Sequence, residues 1–387
     1  DFKAHQQLLK NYCYEITYKK DLSLNKNLEI KRKYEILEDL FFKEKNKRNK
    51  EKKLNGNCLS SASCYEAKDV PLSGPNYSSV YHPKVLEQVI RVFNDFGDLY
   101  INETKDKEGD IASKEVQVKR PWSGYWFPFS SADKDLYSNS DKPLAKFEAV
   151  LKKLGYAPKI VAYEKNRYKG YHPDSWEGLC DAWSLSSILT SEPQSSKEIE
   201  GESFSISDQK ALLTFSHLNY PKKRYGISYR GDAETDGTYQ DIKPEAFHRI
   251  ITQVLGKEKR PVIVDYMAGV QVWNKPLYRY RWKITKDPSV ANSFLVVSYP
   301  WLVKERNRQE NSLTSNADSI APVYKYRLYV DRNIKRKGKY KVIAGQWLGD
   351  SYYNHPDSVA YVARDGEIGS HNPEFNKYLN LYKDLFL

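Results

Sequence analysis

The chain has 387 residues, of which 40% are hydrophobic and 14% aromatic, with 31 tyrosines and a formal net charge of +12. That length holds two domains, or one large domain with extensions, around a substantial core. No apolar run reaches the roughly eighteen residues a membrane-spanning helix needs, so no membrane span is expected.

In chain order, residues 1–115 stand apart. They hold Cys13, Cys58 and Cys64 and none of the eight tryptophans. Apolar residues Ile30, Tyr34, Leu37 and Phe41 fall on one face of a helix, and Val85, Val89, Val92 and Phe93 do the same over 83–96. Between them the run 43–53 reads Lys-Glu-Lys-Asn-Lys-Arg-Asn-Lys-Glu-Lys-Lys. Without a recognisable nucleic-acid module this is a solvated helix end or linker, and nucleic acid is not an expected partner. We read 1–115 as a helical, Lys-rich N-terminal extension or propeptide-like region, expected to cover the active cleft; the alternatives are an integral part of the core or a partner-binding arm. One disulfide among Cys13, Cys58 and Cys64 fits the cysteine count, with the pairing open. The sequence begins at Asp1 without methionine, as a mature or a recombinant chain would, and we expect a secreted or periplasmic protein whose signal peptide is absent from this sequence.

Residues 116–387 read as an α+β catalytic domain. Helices are expected over 143–155, 180–189, 207–217 and 243–255, and strands over 261–265, 277–285, 293–303, 323–330 and 340–347. The informative segment is Gly178-Leu179-Cys180-Asp181-Ala182-Trp183-Ser184. It sets a thiol at the start of a helix, where the partial positive charge favours thiolate, the reactive species. The alternative is a cysteine packed as a small apolar residue.

A nucleophilic thiol needs a base and a group to orient it. His355 lies in a polar loop after the last strand, with Asp357 two residues on, and is our candidate base. His248 sits mid-helix beside Phe247 and reads as a packed residue, and His217 ends a helix and complements its dipole.

Ordered motifs then make a resemblance specific. They are Pro121-Trp122-Ser123-Gly124-Tyr125-Trp126-Phe127-Pro128, Lys142-Pro143-Leu144-Ala145-Lys146-Phe147, and Trp176-Glu177-Gly178-Leu179-Cys180-Asp181-Ala182-Trp183. Lys210-Ala211-Leu212-Leu213-Thr214, Phe247-His248, Val272-Trp273-Asn274-Lys275-Pro276, Gly345-Gln346-Trp347 and His355-Pro356-Asp357 follow. Over about 120–360 the chain resembles the transglutaminase-elicitor family, whose fold is similar to papain-like cysteine proteases.

The resemblance implies a papain-like fold, a nucleophile helix packed on an antiparallel sheet. It also implies a protein-glutamine γ-glutamyltransferase that cross-links proteins. Cys180 would form a thioester with a protein glutamine and pass the acyl group to a lysine or other amine. A cysteine protease or glutamine deamidase is the first rival, and a non-catalytic binding module on a decayed papain-like fold the second. Two positions depart from the papain pattern: Lys275 stands where a histidine is expected, and Asp174 where an oxyanion glutamine is expected. We therefore expect His355 as base, Asn274 as its orienter, Asp357 as third member, and backbone N–H groups at the oxyanion. Trp176, Trp183, Trp273 and Trp347 are candidate walls against water, or else core.

No cofactor is required. The run Asp232-Ala233-Glu234-Thr235-Asp236-Gly237 opens like a Ca2+ loop, but its twelfth position is Lys243 instead of glutamate, which favours a polar turn.

Overall fold

The computed structural model describes residues 91–387 except 103–109, 132, 227–240, 270, 308–311, 337–338 and 364. The expected helix over 28–42, the basic run, Cys13, Cys58, Cys64 and the Asp232–Gly237 run lie outside these residues. So does the expectation that the N-terminal region covers the cleft.

Twelve strands are described: β1 (Tyr100–Asn102), β2 (Asp110–Gln117), β3 (Lys197–Ile199), β4 (Glu202–Phe204), β5 (Lys223–Gly226), β6 (Val262–Asp265), β7 (Asn274–Lys286), β8 (Ser293–Val303), β9 (Ser319–Ile320), β10 (Tyr324–Arg336), β11 (Lys339–Trp347) and β12 (Ser358–Tyr361). Ten form one antiparallel sheet in the order β1-β11-β10-β8-β7-β6-β12-β5, with β2 on β7 and β9 on β8. The α-helices are α1 (Pro143–Lys153), α2 (Ile160–Arg167), α3 (Cys180–Leu189), α4 (Ile206–Ser216), α5 (Pro244–Ile250), α6 (Pro373–Asn376) and α7 (Leu379–Phe386).

Local chemistry sets several boundaries. Pro143 opens α1, where its missing N–H costs nothing. Ser205 and Asp208 form a reciprocal capping box at the start of α4. The helix expected over 243–255 is α5 followed by a wider π turn over Ile251–Leu255.

The sheet carries helices on both faces. Val262 and Val264 join the core under α5, with Phe247, Tyr280, Tyr326 and Trp347, while Ile263 points the other way, to Leu185 of α3. A second core fills a helical lobe, in which Phe147 of α1 meets Phe375 of α6 at 5.5 Å and Tyr382 of α7 at 5.8 Å. Burying each such ring is worth about 2–3 kcal/mol. The thiol helix α3 lies where lobe and sheet meet.

The division expected at residue 115 falls inside β2, seven of whose residues pair with β7. Of the described side chains of β2 only Val116 joins the core, so its sequence reads as mixed and polar. Residues 100–102 likewise add β1 to the edge of β11.

Candidate active site

Cys180 is the first residue of α3 and is buried, 6% exposed. The chain enters through Gly178, bridged to Pro128, and a Cβ there would lie 2.6 Å from the Trp126 ring. The Leu179 N–H bonds the Trp126 carbonyl at 2.6 Å, which fixes the start of the helix.

The sulfur has two described partners. It donates to the Val272 carbonyl at 3.6 Å, and the Asn274 Nδ2 approaches it at 3.7 Å. Arg224 settles the orientation of the Asn274 amide: its NH1 donates to Oδ1 at 3.0 Å, so Nδ2 must face the sulfur. Arg224 is itself held by Asp181 at 2.6 Å and the Ser358 hydroxyl at 2.6 Å. Sequence reasoning missed Arg224; nothing in Lys222-Lys223-Arg224-Tyr225 distinguishes it from a surface base.

The expectation of an activated thiolate meets a different environment. Burial pushes the Cys180 thiol up to about 11, and the charges of Asp181 and Asp265 add to that against the hydrogen bonds of Asn274. Here desolvation outweighs the hydrogen bonds that favour thiolate. The cover is the segment between β6 and β7. Its Trp273 N–H bonds Asp265 at 2.7 Å, and its ring meets Trp126 edge-on at 5.3 Å. Beneath it the buried Lys275 pairs with Glu305 and faces the rings of Tyr266 and Trp273 at 5.3 and 5.8 Å.

That edge contact is worth about 1 kcal/mol. Trp273→Ala should therefore raise the open population, and with it the rate of Cys180 labelling by iodoacetamide, about fivefold. An unchanged rate would mean that Trp273 does not gate the thiol.

The structure brings Cys180, Asn274 and Trp273 together. It puts His355 elsewhere: Nδ1 meets the Ser351 carbonyl at 3.0 Å, Nε2 meets Asp241 at 3.1 Å, and the ring stacks on Trp347 at 5.2 Å. Asn274 thus contacts the thiol and Arg224 rather than orienting His355, and Asp241 holds the imidazole. Sequence spacing could not pair Asp241 with a histidine 114 residues away.

Asp357 is fully buried, and its carboxylate has no partner in good hydrogen-bond geometry, only the approach of the Gly269 N–H. Burial first, then Asp241 and Asp265, push its carboxyl up to about 10, offset only in part by the Gly269 N–H. Asp241, Asp265 and Asp357 thus form one buried acidic group, linked to His355 through Asp241 and acting on Cys180 through Asp265.

Trp183 and Trp347 are core residues, 1% exposed: Trp183 packs with Trp122, Leu213, Tyr278 and Val303, and Trp347 with Phe247 and Tyr326. Trp176 is half-buried. His248 lies in the core under α5, bonded to the Tyr326 hydroxyl at 2.7 Å, and burial pushes it down to about 3. His217 bonds the Leu213 carbonyl at 2.7 Å. No group of three His, Cys, Asp or Glu able to hold a metal ion occurs among the described residues. No described helix is long and apolar enough to cross a membrane.

The family described as Transglutaminase elicitor matches residues 156–365, more than half of the chain, including Cys180, Asn274, His355 and Asp357. Among solved structures, the GP42 transglutaminase from Phytophthora sojae is similar in fold. The TM-score is 0.55 at 18% identity, covering 78% of this chain and 98% of that one. No curated protein matches the chain.

Proposed function

The chain belongs to the transglutaminase elicitor family, and we propose that it is a papain-like, cysteine-dependent acyltransferase that joins protein glutamines to amines. The observation that carries this is the thiol at the head of α3 with the Asn274 amide turned to its sulfur by Arg224.

The thiolate of Cys180 attacks the glutamine carboxamide carbon. The Asn274 Nδ2 and the first-turn N–H groups of α3 receive the oxyanion. Collapse expels ammonia and leaves a thioester, and a lysine amine then attacks, forming the isopeptide and restoring the thiol. Trp126 and Trp273 exclude the water that would hydrolyse the thioester. His355 is the base of this proposal: a ring nitrogen released from Ser351 or Asp241 takes the thiol proton and passes it to the departing ammonia. Secretion or periplasmic export belongs to the same proposal.

The engaged imidazole and covered thiol favour one second reading, a non-catalytic binding module. The decisive assay offers a labelled monoamine and a glutamine-rich protein and follows amine incorporation, ammonia and backbone cleavage together. Incorporation with ammonia release is the expected result. Ammonia without incorporation means a deamidase and cleavage a protease. No turnover in full-length protein with an unreactive thiol means a binding module.

A further inference from the structure

Beside the segment that leads into α3 lies a cavity of about 520 Å³, within the size range of ligand-binding clefts. Four of its eight lining residues are aromatic: Phe129, Tyr137, Tyr168 and Tyr171. Lys165, exposed in the last turn of α2, is the one charged residue among the eight. The acyl-transfer steps above use none of them.

The rings stand tilted or edge-on to one another. Phe129 lies 5.4 Å from Tyr168 and 6.4 Å from Tyr171, and the two tyrosines lie 6.1 Å apart. Such a set presents ring faces and ring edges together, and a further aromatic ring meets them in the same favoured geometry. Tyr171 is held in place by its hydroxyl, which donates to the Glu177 carboxylate at 2.6 Å.

The backbone ties this cavity to the thiol. The Phe129 N–H bonds the Glu177 carbonyl at 2.8 Å, and Pro128 bridges Gly178. Glu177 stands three residues before Cys180, a span of at most about 11 Å. On the other side, Trp126 meets Trp273 of the cover edge-on. Trp126 and Phe129 are three residues apart, so one aromatic border runs from the covered thiol to the cavity.

We infer that this cavity seats an aromatic side chain of the protein substrate, and that it selects glutamines with tryptophan, tyrosine or phenylalanine about three to five extended positions away. This rests on the acyl-transfer proposal for its link to glutamine, but not for binding. The chemistry of the lining identifies the occupant. Lys165 in the lining and Arg167, 5.9 Å from the Tyr168 centroid, oppose an ammonium group. The acceptor lysine is therefore not the guest, and its amine must in any case reach the sulfur. An aliphatic side chain would bury area there but gain nothing from the ring geometry.

The test titrates three glutamine peptides into full-length Cys180→Ala protein by calorimetry. One carries tryptophan about four residues before the glutamine, one about four residues after it, and one has glycine at both places. A tryptophan peptide should bind about tenfold tighter than the glycine peptide. Tyr168→Ala should remove that advantage while circular dichroism stays unchanged. Ser130→Trp, which fills the cavity from an exposed position in its lining, gives the same comparison if Tyr168→Ala loosens the lobe. In the catalytically intact chain, Tyr168→Ala should raise KM for that tryptophan peptide about tenfold, leave kcat unchanged, and spare the glycine peptide. Equal affinities of the three peptides overturn the inference, as does an advantage that survives both substitutions. A single-stranded oligonucleotide that displaces the tryptophan peptide also overturns it. Amine incorporation with one KM for all three peptides removes the cavity's role and leaves acyl transfer standing. Tryptophan-dependent binding in a protein with no incorporation upholds the cavity and removes the acyl-transfer proposal.

Discussion

Replacing Cys180 with alanine is expected to remove amine incorporation and ammonia release altogether, because the lost atom forms the covalent intermediate. The fold should survive. The sulfur makes two long contacts, 3.6 Å to Val272 and 3.7 Å to Asn274, and neither anchors α3, whose start is fixed by Leu179 and Trp126. The cost to stability should be about 1 kcal/mol. A thiol pushed up to about 11 is thiolate in only about one molecule in a thousand at pH 8. Labelling of the wild type should therefore climb with pH well past the range of an ordinary cysteine, except to the extent that the open form carries the reaction. Turnover persisting in Cys180→Ala would rule out the thioester mechanism.

The second large effect is expected at Asp357. Its carboxyl, pushed up to about 10 by burial and by Asp241 and Asp265, holds its proton in the folded chain at neutral pH. An unfolded aspartate releases it near pH 3.9, at about the reference value. The folded state therefore binds the extra proton between those two values, and stability falls as pH rises through that window, by about 1.4 kcal/mol per unit. Asp357→Asn keeps the shape of the protonated acid and takes up no proton. It should flatten the pH dependence and be more stable than wild type at pH 8 by an amount on the order of several kcal/mol. Urea melts of both proteins from about pH 5 to 9 measure this directly. Parallel slopes would put the proton elsewhere among the three acids.

Much of the architecture was legible in local pattern. Alternation in Tyr324, Tyr326 and Leu328 marked β10, and the glycine before Cys180 marked the start of α3 to the residue. β12 was not legible: Ser358–Tyr361 is short and buried throughout, so it shows no alternation. Cys180, Asn274 and Trp273 stand out in the sequence because they lie in two compact motifs. The roles of their neighbours depend on contacts across the fold. Arg224 matters because β5 pairs with β12 beside Asn274, and Asp241 because its chain passes the Ser351–His355 turn. Aromatic content could not separate Trp273, at the site, from Trp183 and Trp347, which fill the core.

The helical lobe is completed by α6 and α7. Phe375 and Tyr382 close over Phe147, more than two hundred residues earlier, and strands β3–β12 lie between them in sequence. During synthesis the lobe that seats Cys180 therefore stays unfinished until α6 and α7 have left the ribosome. Contacts of such long sequence separation form late. Asn274 and Arg224 are in place only when β5 has met β12. A chain that stopped short of α6 would carry the cysteine without its setting, so whatever chemistry the thiol performs begins only once α6 and α7 have been made.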